Sequence, residues 1–389
     1  MFAFGGHTNK MSDQIRIPCV IMRAGTSKGI FIKENDLPTD QAMRDQIILR
    51  IFGSPDVRQI DGLAGADPLT SKLAIIGPPT HPEADVDYTF AQVGIGDTTV
   101  DYNGNCGNIS SGVGPFAIDE SFVKAVEPKT KVCIHNTNTG KLLYAEVVVE
   151  DGKAKVSGDF KIDGVPGTNA AELMDFTGTA GAATGKVLPT GNVVDTIKTS
   201  KGELKVSIVD VANPCVFICA VDVKMKGTET PAEIDGDAQL LAYLEEIRSH
   251  CCVLIGMAKD AKEATEKSPA FPMIAFVSEP ADYMDFTSGN TIKAEEVDLV
   301  SRLMYMQVLH KTYAGTATAC TGSAAKIEGT IVNQVLRKTT SDTVRIGHPA
   351  GVIPVVSVVN GQTVEKAALI RTARRIMEGY VFVEKAKLK

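Results

Sequence analysis

A cysteine set among glycines and asparagines is the part of this chain whose residue types most directly suggest chemistry. Tyr102-Asn-Gly-Asn-Cys-Gly-Asn-Ile-Ser-Ser-Gly-Val-Gly-Pro115 follows a strand-like run, Thr98–Tyr102, and leads into an apolar segment at Val113–Ile118. Glycine lets a ligand come close to the backbone, and a helix opening here would aim free N–H groups at it. The positive helix end favours thiolate over thiol, which makes Cys106 the candidate reactive group. The competing reading is a structural cysteine buried in a Gly-rich turn, because free Cys is among the most buried residue types.

Four other places could serve such a group. Ala24-Gly-Thr-Ser-Lys-Gly29 is a turn rich in donors, with Thr26, Ser27, Lys28 and, at its entrance, Arg23. It reads as an anion site or as a solvated hairpin tip. Lys72 joins the Gly-rich loop Asp61–Lys72 to the apolar strand Leu73–Ile76. An ammonium is costly to bury unpaired, so Lys72 is either a snorkelling edge residue or a cation placed for an anionic ligand. In the second half, Thr316-Ala-Thr-Ala-Cys-Thr-Gly-Ser-Ala-Ala325 repeats the device, with Cys320 at the expected opening of another helix. Two helix starts facing one cleft would suit a small dianion. His348, in the turn Gly347-His-Pro-Ala-Gly351, is either a further donor or a structural histidine.

The elements that must position these residues follow from pattern. Ile15–Arg23 and Ile30–Lys33 read as a hairpin. Thr39 or Asp40 caps a helix whose apolar face is Met43, Ile47, Ile48 and Ile51, with Gly53 as its stop. Val86–Val93, Lys131–His135, Leu142–Glu150 and Lys153–Ser157 are strand-like. Gly164–Asn192 is poor in large apolar residues and marks a domain boundary. Strands follow at Glu203–Val211 and Cys215–Val223, then helices at Asp237–Cys252 and Ala294–Tyr313. The second helix is read from Val297, Val300, Leu303, Met304 and Val308. Thr343–Ile346, Val352–Val359 and Tyr380–Glu384 close the chain as strands.

Composition narrows the class. A chain of 389 residues, 44% hydrophobic and 22% charged, fits a soluble protein of two domains. A net charge of −7 with no block of like charges argues against nucleic acid. No apolar run reaches the ~18 residues of a membrane span. The eight cysteines form no CxxC pair and read as reduced thiols of a cytoplasmic protein. Scattered histidines predict no metal, and the lack of a GxGxxG or Walker pattern predicts no nucleotide. Residues 1–10 read as a leader before a natural start at Met11.

Taken together, Arg23-Ala-Gly-Thr-Ser-Lys-Gly29, Asn105-Cys-Gly-Asn108 with the following Gly-Val-Gly-Pro-Phe-Ala-Ile, and Ile346-Gly-His-Pro-Ala-Gly351 resemble hallmark stretches of a known family. It is the 2-methylaconitate isomerase and methylitaconate delta-isomerase family. The resemblance runs from about Met11 onward, and residues 61–72 and 310–330 stand closest to the methylitaconate branch. It implies an α/β (α+β) fold of two similar diaminopimelate epimerase-like domains. Each would be a mixed sheet wrapped round a central helix, with the active site in the cleft between them. The expected domains are 11–185, completed by the C-terminal strand 376–389, and 186–375.

The resemblance also implies cofactor-independent proton transfer on a small unsaturated di- or tricarboxylate, converting 3-methylitaconate to 2,3-dimethylmaleate. Lys72 and Cys106 match the family's catalytic pair. Cys320 matches a second acid/base cysteine of the epimerase relatives, which the aconitate-isomerising members do not need. Arg23, Thr26, Ser27, Asn105, Gly107, Asn108, Ser323 and His348 are the expected carboxylate ligands. The base is Cys106. Lys72 would stabilise the dienolate or deliver the proton, the first role being favoured because a charged lysine is a weak acid. The alternatives are a 2-methylaconitate cis-trans isomerase, a two-cysteine racemase or epimerase, and a non-catalytic carboxylate-binding accessory protein. An enzyme of this size is expected to be a homo-oligomer.

Overall fold

Two apolar runs that reverse at Gly25 and Thr26 begin the structure, a computed structural model that describes residues 13–388. The leader expected at residues 1–10 lies outside them. Strands β1 (Gln14–Ala24) and β2 (Ser27–Lys33) form the hairpin read from sequence. Helix α1 (Gln41–Phe52) starts where the Asp40 carboxylate accepts from the Met43 N–H, and Gly53 ends it in the left-handed region. Then come β3 (Lys72–Gly77), β4 (Val86–Val93), the short β5 (Val100–Asp101), α2 (Gly107–Asp119), β6 (Lys129–Asn136), β7 (Lys141–Glu150) and β8 (Glu172–Asp175).

The second half repeats the plan with β9 (Gly202–Val211), β10 (Asn213–Cys219), α3 (Ala238–Leu254), β11 (Met273–Ser278), β12 (Leu299–Tyr305) and β13 (Val308–Leu309). It continues through α4 (Gly315–Lys326), β14 (Thr343–His348), β15 (Gly351–Asn360), β16 (Thr363–Arg371) and β17 (Ala373–Glu384). The pairing senses match step by step. β1 to β2 is antiparallel, β2 to β3 parallel, β3 to β4 antiparallel, β4 to β6 parallel and β6 to β7 antiparallel. β9 to β10, β10 to β11, β11 to β12, β12 to β14 and β14 to β15 repeat that order. The parallel steps from β2 to β3 and from β10 to β11 are crossed by α1 and α3.

Each half wraps its sheet round one helix. α2 is buried from Gly107 to Ile118 and α4 from Gly315 to Ala325, and both pack into one continuous apolar core. α1 and α3 cover the outer faces with separate clusters. β16 pairs with both β15 and β8, which joins the sheets of the two halves, and β17 returns to pair with β1. This is the α/β architecture of two similar sheet-and-helix halves that the resemblance implies.

The helix expected over Ala294–Tyr313 is not there. Only a single 3-10 turn forms at Ala294–Glu296, and Leu299–Tyr305 is the strand β12. Every residue of that strand is buried between β11 and β14. A strand covered on both faces shows no alternation and cannot be told from a helix by apolar spacing. It ends in a tight hairpin turn at Met306 and Gln307, both at positive φ, where neither residue type signals a turn. The strands expected at Lys153–Ser157 and Cys215–Val223 are shorter, ending at Ala154 and Cys219.

Candidate active site

Helix α2 begins at Cys106, which stands at the N-cap with extended backbone angles and no side-chain cap. Helix α4 begins in the same way at Ala314, again with no side-chain cap. The two helix starts abut. A Cβ added to Gly107 would lie 2.4 Å from the Thr316 nitrogen, and one added to Gly315 would lie 2.8 Å from the Gly107 carbonyl carbon. Only glycine permits that approach. Asn213, at the start of β10, locks the junction. It accepts from the Asn105 N–H at 3.1 Å, donates to the Asn105 carbonyl, and donates to Thr316 Oγ1 at 2.9 Å. Two positive helix ends are thereby directed into one small space.

Lys72 faces this junction from the first position of β3. Its side chain does not snorkel, being only 2% exposed. Nζ donates to Gln92 Oε1 at 2.8 Å and lies 4.5 Å from the centre of the Tyr305 ring. Burial pushes the Lys72 ammonium below its usual range, while Cys106, close enough to hydrogen-bond with it, pulls the other way. Gln92 is fixed by its own bonds. Nε2 donates to the carbonyls of Pro68 and Ser71, so Oε1 is left to accept from both Lys72 and the Tyr305 hydroxyl, the latter at 2.9 Å.

Thr26 forms the opposite side. Its hydroxyl accepts from Asn108 Nδ2 at 3.1 Å and from Thr312 Oγ1 at 2.8 Å. The side chain also lines a cavity of about 90 Å³ shared with Tyr313, His348 and Arg371. His310 lies within electrostatic reach of both Lys72 and Arg371. Its Nδ1 accepts from the Thr312 N–H, and His348 Nδ1 accepts from the Ala350 N–H, so Nε2 carries the hydrogen in each neutral ring. Burial, with the Lys72 charge second, pushes His310 down to about 3. Burial also pushes His348 well below its usual range. Both are fixed neutral donors.

The residues expected from sequence divide into two groups. Lys72, Cys106, Gly107, Asn108 and Thr26 meet at the junction, and His348 lines the adjoining cavity. Ser27 and Ser323 are buried with hydroxyls that have no partner among the described residues. Arg23 is engaged elsewhere, donating to Thr372 and to Asn169 Oδ1. Asn105 holds the loop, its Oδ1 accepting from Ser110 at 3.0 Å.

Cys320 is not at a helix start. It is the sixth residue of α4, fully buried, with Sγ donating to the Val209 carbonyl at 3.2 Å. The small residues ahead of it are already helical, so the position that corresponds to Cys106 belongs to Ala314. Gln92, Tyr305, His310 and Arg371 join the site without any local sequence motif to mark them. Among the described residues no group of three metal-ligating side chains occurs, and no helix is long and apolar enough to cross a membrane.

Comparison with known proteins identifies the family over nearly the whole chain. The chain is 82% identical over 379 residues to the 3-methylitaconate isomerase of Eubacterium barkeri, covering 97% of this chain and all of that one. A solved structure of methylitaconate-delta-isomerase, also 82% identical, matches with a TM-score of 0.80 over 97% of this chain and 98% of that chain. A probable proline racemase from Agrobacterium radiobacter shares the fold alone, at 12% identity and a TM-score of 0.53 over 94% of this chain and 92% of that one. The family model described as PrpF protein matches residues 14–384. The chain belongs to the PrpF protein family, and it is an isomerase.

Proposed function

We propose that this isomerase converts 3-methylitaconate to 2,3-dimethylmaleate, with Cys106 as base and Lys72 as its charged partner. The observation that carries the proposal is the meeting of Lys72 and Cys106 at two uncapped helix starts. The reaction breaks the C–H bond beside one carboxylate, shifts the double bond inward and forms a C–H bond at the terminal methylene. That C–H is a weak acid, because the adjacent carboxylate is already negative. Helix N–H groups and an ammonium aimed at the developing dienolate supply the missing stabilisation. The Cys106 thiolate takes the proton, and no change of oxidation level asks for a cofactor.

Two roles for Lys72 remain chemically distinct, and the lowered pKa favours adding the second. As an ammonium it neutralises the thiolate and holds the reacting carboxylate. Buried as it is, it is also a stronger acid than a solvated lysine, which suits it to protonate the methylene. Cys320 is given no catalytic part, in keeping with its place inside α4. The proposed division is a first domain of 11–185 completed by 376–389 and a second of 186–375; the pairing of β17 with β1 supports the completion of the first by the C-terminal strand. All eight cysteines are free, in keeping with a cytoplasmic protein. Exposed Ile376, Met377, Tyr380 and Phe382 on β17 suit self-association into a homo-oligomer.

Proton NMR in deuterated buffer tests the proposal. With 3-methylitaconate, the vinylic methylene signals should decay and the single methyl signal of the symmetric 2,3-dimethylmaleate should grow, with one deuterium entering one of its two equivalent methyls. Turnover of 2-methylaconitate alone would transfer the assignment to the tricarboxylate, and no change with either would refute the reaction.

A further inference from the structure

Arg371 is the last residue of β16, 2% exposed, and its side chain lines the cavity that also meets Thr26, Tyr313 and His348. Its Nε and Nη2 are buried and have no hydrogen-bond partner among the described residues. It belongs to no ion pair there. The carboxylate nearest in register is Glu172, directly across the strand pair, yet both Glu172 oxygens are themselves buried without a partner. Burial, opposed by Arg23, pushes the Glu172 carboxyl well above its usual range, and among the described residues no ion pair or hydrogen bond joins it to Arg371. Asp163, at the cavity wall, is already engaged by the Val352 N–H at 2.8 Å and by Lys161 at 3.7 Å. Burial holds the pKa of His348, which lines the cavity, and of His310, within electrostatic reach of Arg371, below the usual histidine range.

A guanidinium taken out of water and given no acceptor is among the most costly groups a protein can hold. Arginine's planar fork matches a carboxylate in two bonds, and an anion in this cavity would satisfy the idle donors. The cavity adjoins the helix junction through Thr26, which bonds Asn108 on one side and lines the cavity on the other. We propose that Arg371 holds the substrate carboxylate that Lys72 does not, and so makes the site select dicarboxylates over monocarboxylates. This rests on the isomerase reading given above. It divides the substrate between two places in the site: the reacting end lies at the helix starts, and the second carboxylate lies in the cavity.

The test is binding of 2,3-dimethylmaleate and of tiglate, which has one of the two carboxylates replaced by hydrogen, to the full chain and to Arg371→Met. The unmodified protein should bind 2,3-dimethylmaleate roughly a hundredfold tighter than tiglate, and Arg371→Met should lose about that factor for the dicarboxylate alone. Arg371→Lys, which keeps the charge without the fork, should fall between and covers the case in which the methionine variant does not fold. Undiminished dicarboxylate affinity in either variant, or an equal loss for both ligands, would overturn the proposal. Binding and turnover separate the two readings. Discrimination without isomerisation would support the carboxylate site and sink the isomerase reaction. Isomerisation with an unaffected Arg371→Met would do the reverse.

Discussion

The two halves of the molecule share one strand plan and differ in what stands at three matched positions. Lys72 opens β3 in the first half, and Met273 opens β11 in the second. Gln92 faces Lys72 across the sheet. Because Ile274 faces Met304, Met273 comes opposite Tyr305. Cys106 caps α2, and Ala314 caps α4. The scaffold thus supplies two equivalent helix starts, but only the first half carries a titratable pair. The second half contributes Tyr305, which bonds Gln92, together with His310 and the Tyr313, His348 and Arg371 side of the cavity. Such a division suits a reaction with one proton to remove, and it disfavours the two-cysteine racemase, which needs a thiol from each half.

The sharpest way to break this comparison is to remove the thiol. Cys106→Ala should lower kcat by about 10²–10⁴-fold, the range of a positioned general base, with its circular dichroism unchanged. Full activity would remove Cys106 from the mechanism. Lys72→Met should follow, at about 10²–10³-fold in kcat, as for the loss of one strong charge stabiliser.

The pH profile then sharpens the role of the lysine. Burial lowers the Lys72 pKa, so a rate that needs the ammonium falls as pH rises through a value below the usual lysine range. Gln92→Leu removes an acceptor that favours the charged form, and its alkaline limb should move to still lower pH, with a loss of about tenfold at neutral pH. An alkaline limb that stays in place in Gln92→Leu would show that Gln92 does not tune Lys72. No limb is expected from His310 or His348, since both remain neutral throughout the working range. The smallest effect belongs to Cys320→Ala. It should leave kcat within twofold and cost about 1 kcal/mol of stability, read from chemical denaturation, through the lost sulphur packing.

The elements legible in the sequence were those with local signals. The hairpin at Gly25–Thr26, the Asp40-capped helix and the helix opening at Cys106 each have turn, cap or glycine chemistry of their own. What escaped depends on contacts distant in sequence. Gln92 is one amide in an apolar strand, and nothing local reveals that Pro68 and Ser71 fix its orientation. Arg371 sits in a strand where a basic residue reads as solvated, until the β8 pairing buries it. Tyr305 and His310 were hidden by the helical reading of 294–313. Cys320 reads as a helix start in the sequence because Ala314, where α4 begins, has no capping side chain to mark it.

The most direct test of the division between halves is solvent exchange at the allylic C–H of 3-methylitaconate, followed by NMR in deuterated buffer for Cys106→Ala and Cys320→Ala side by side. Exchange should vanish in Cys106→Ala and persist at the unmodified rate in Cys320→Ala. Equal loss in both would contradict the account, placing proton abstraction in the two halves together.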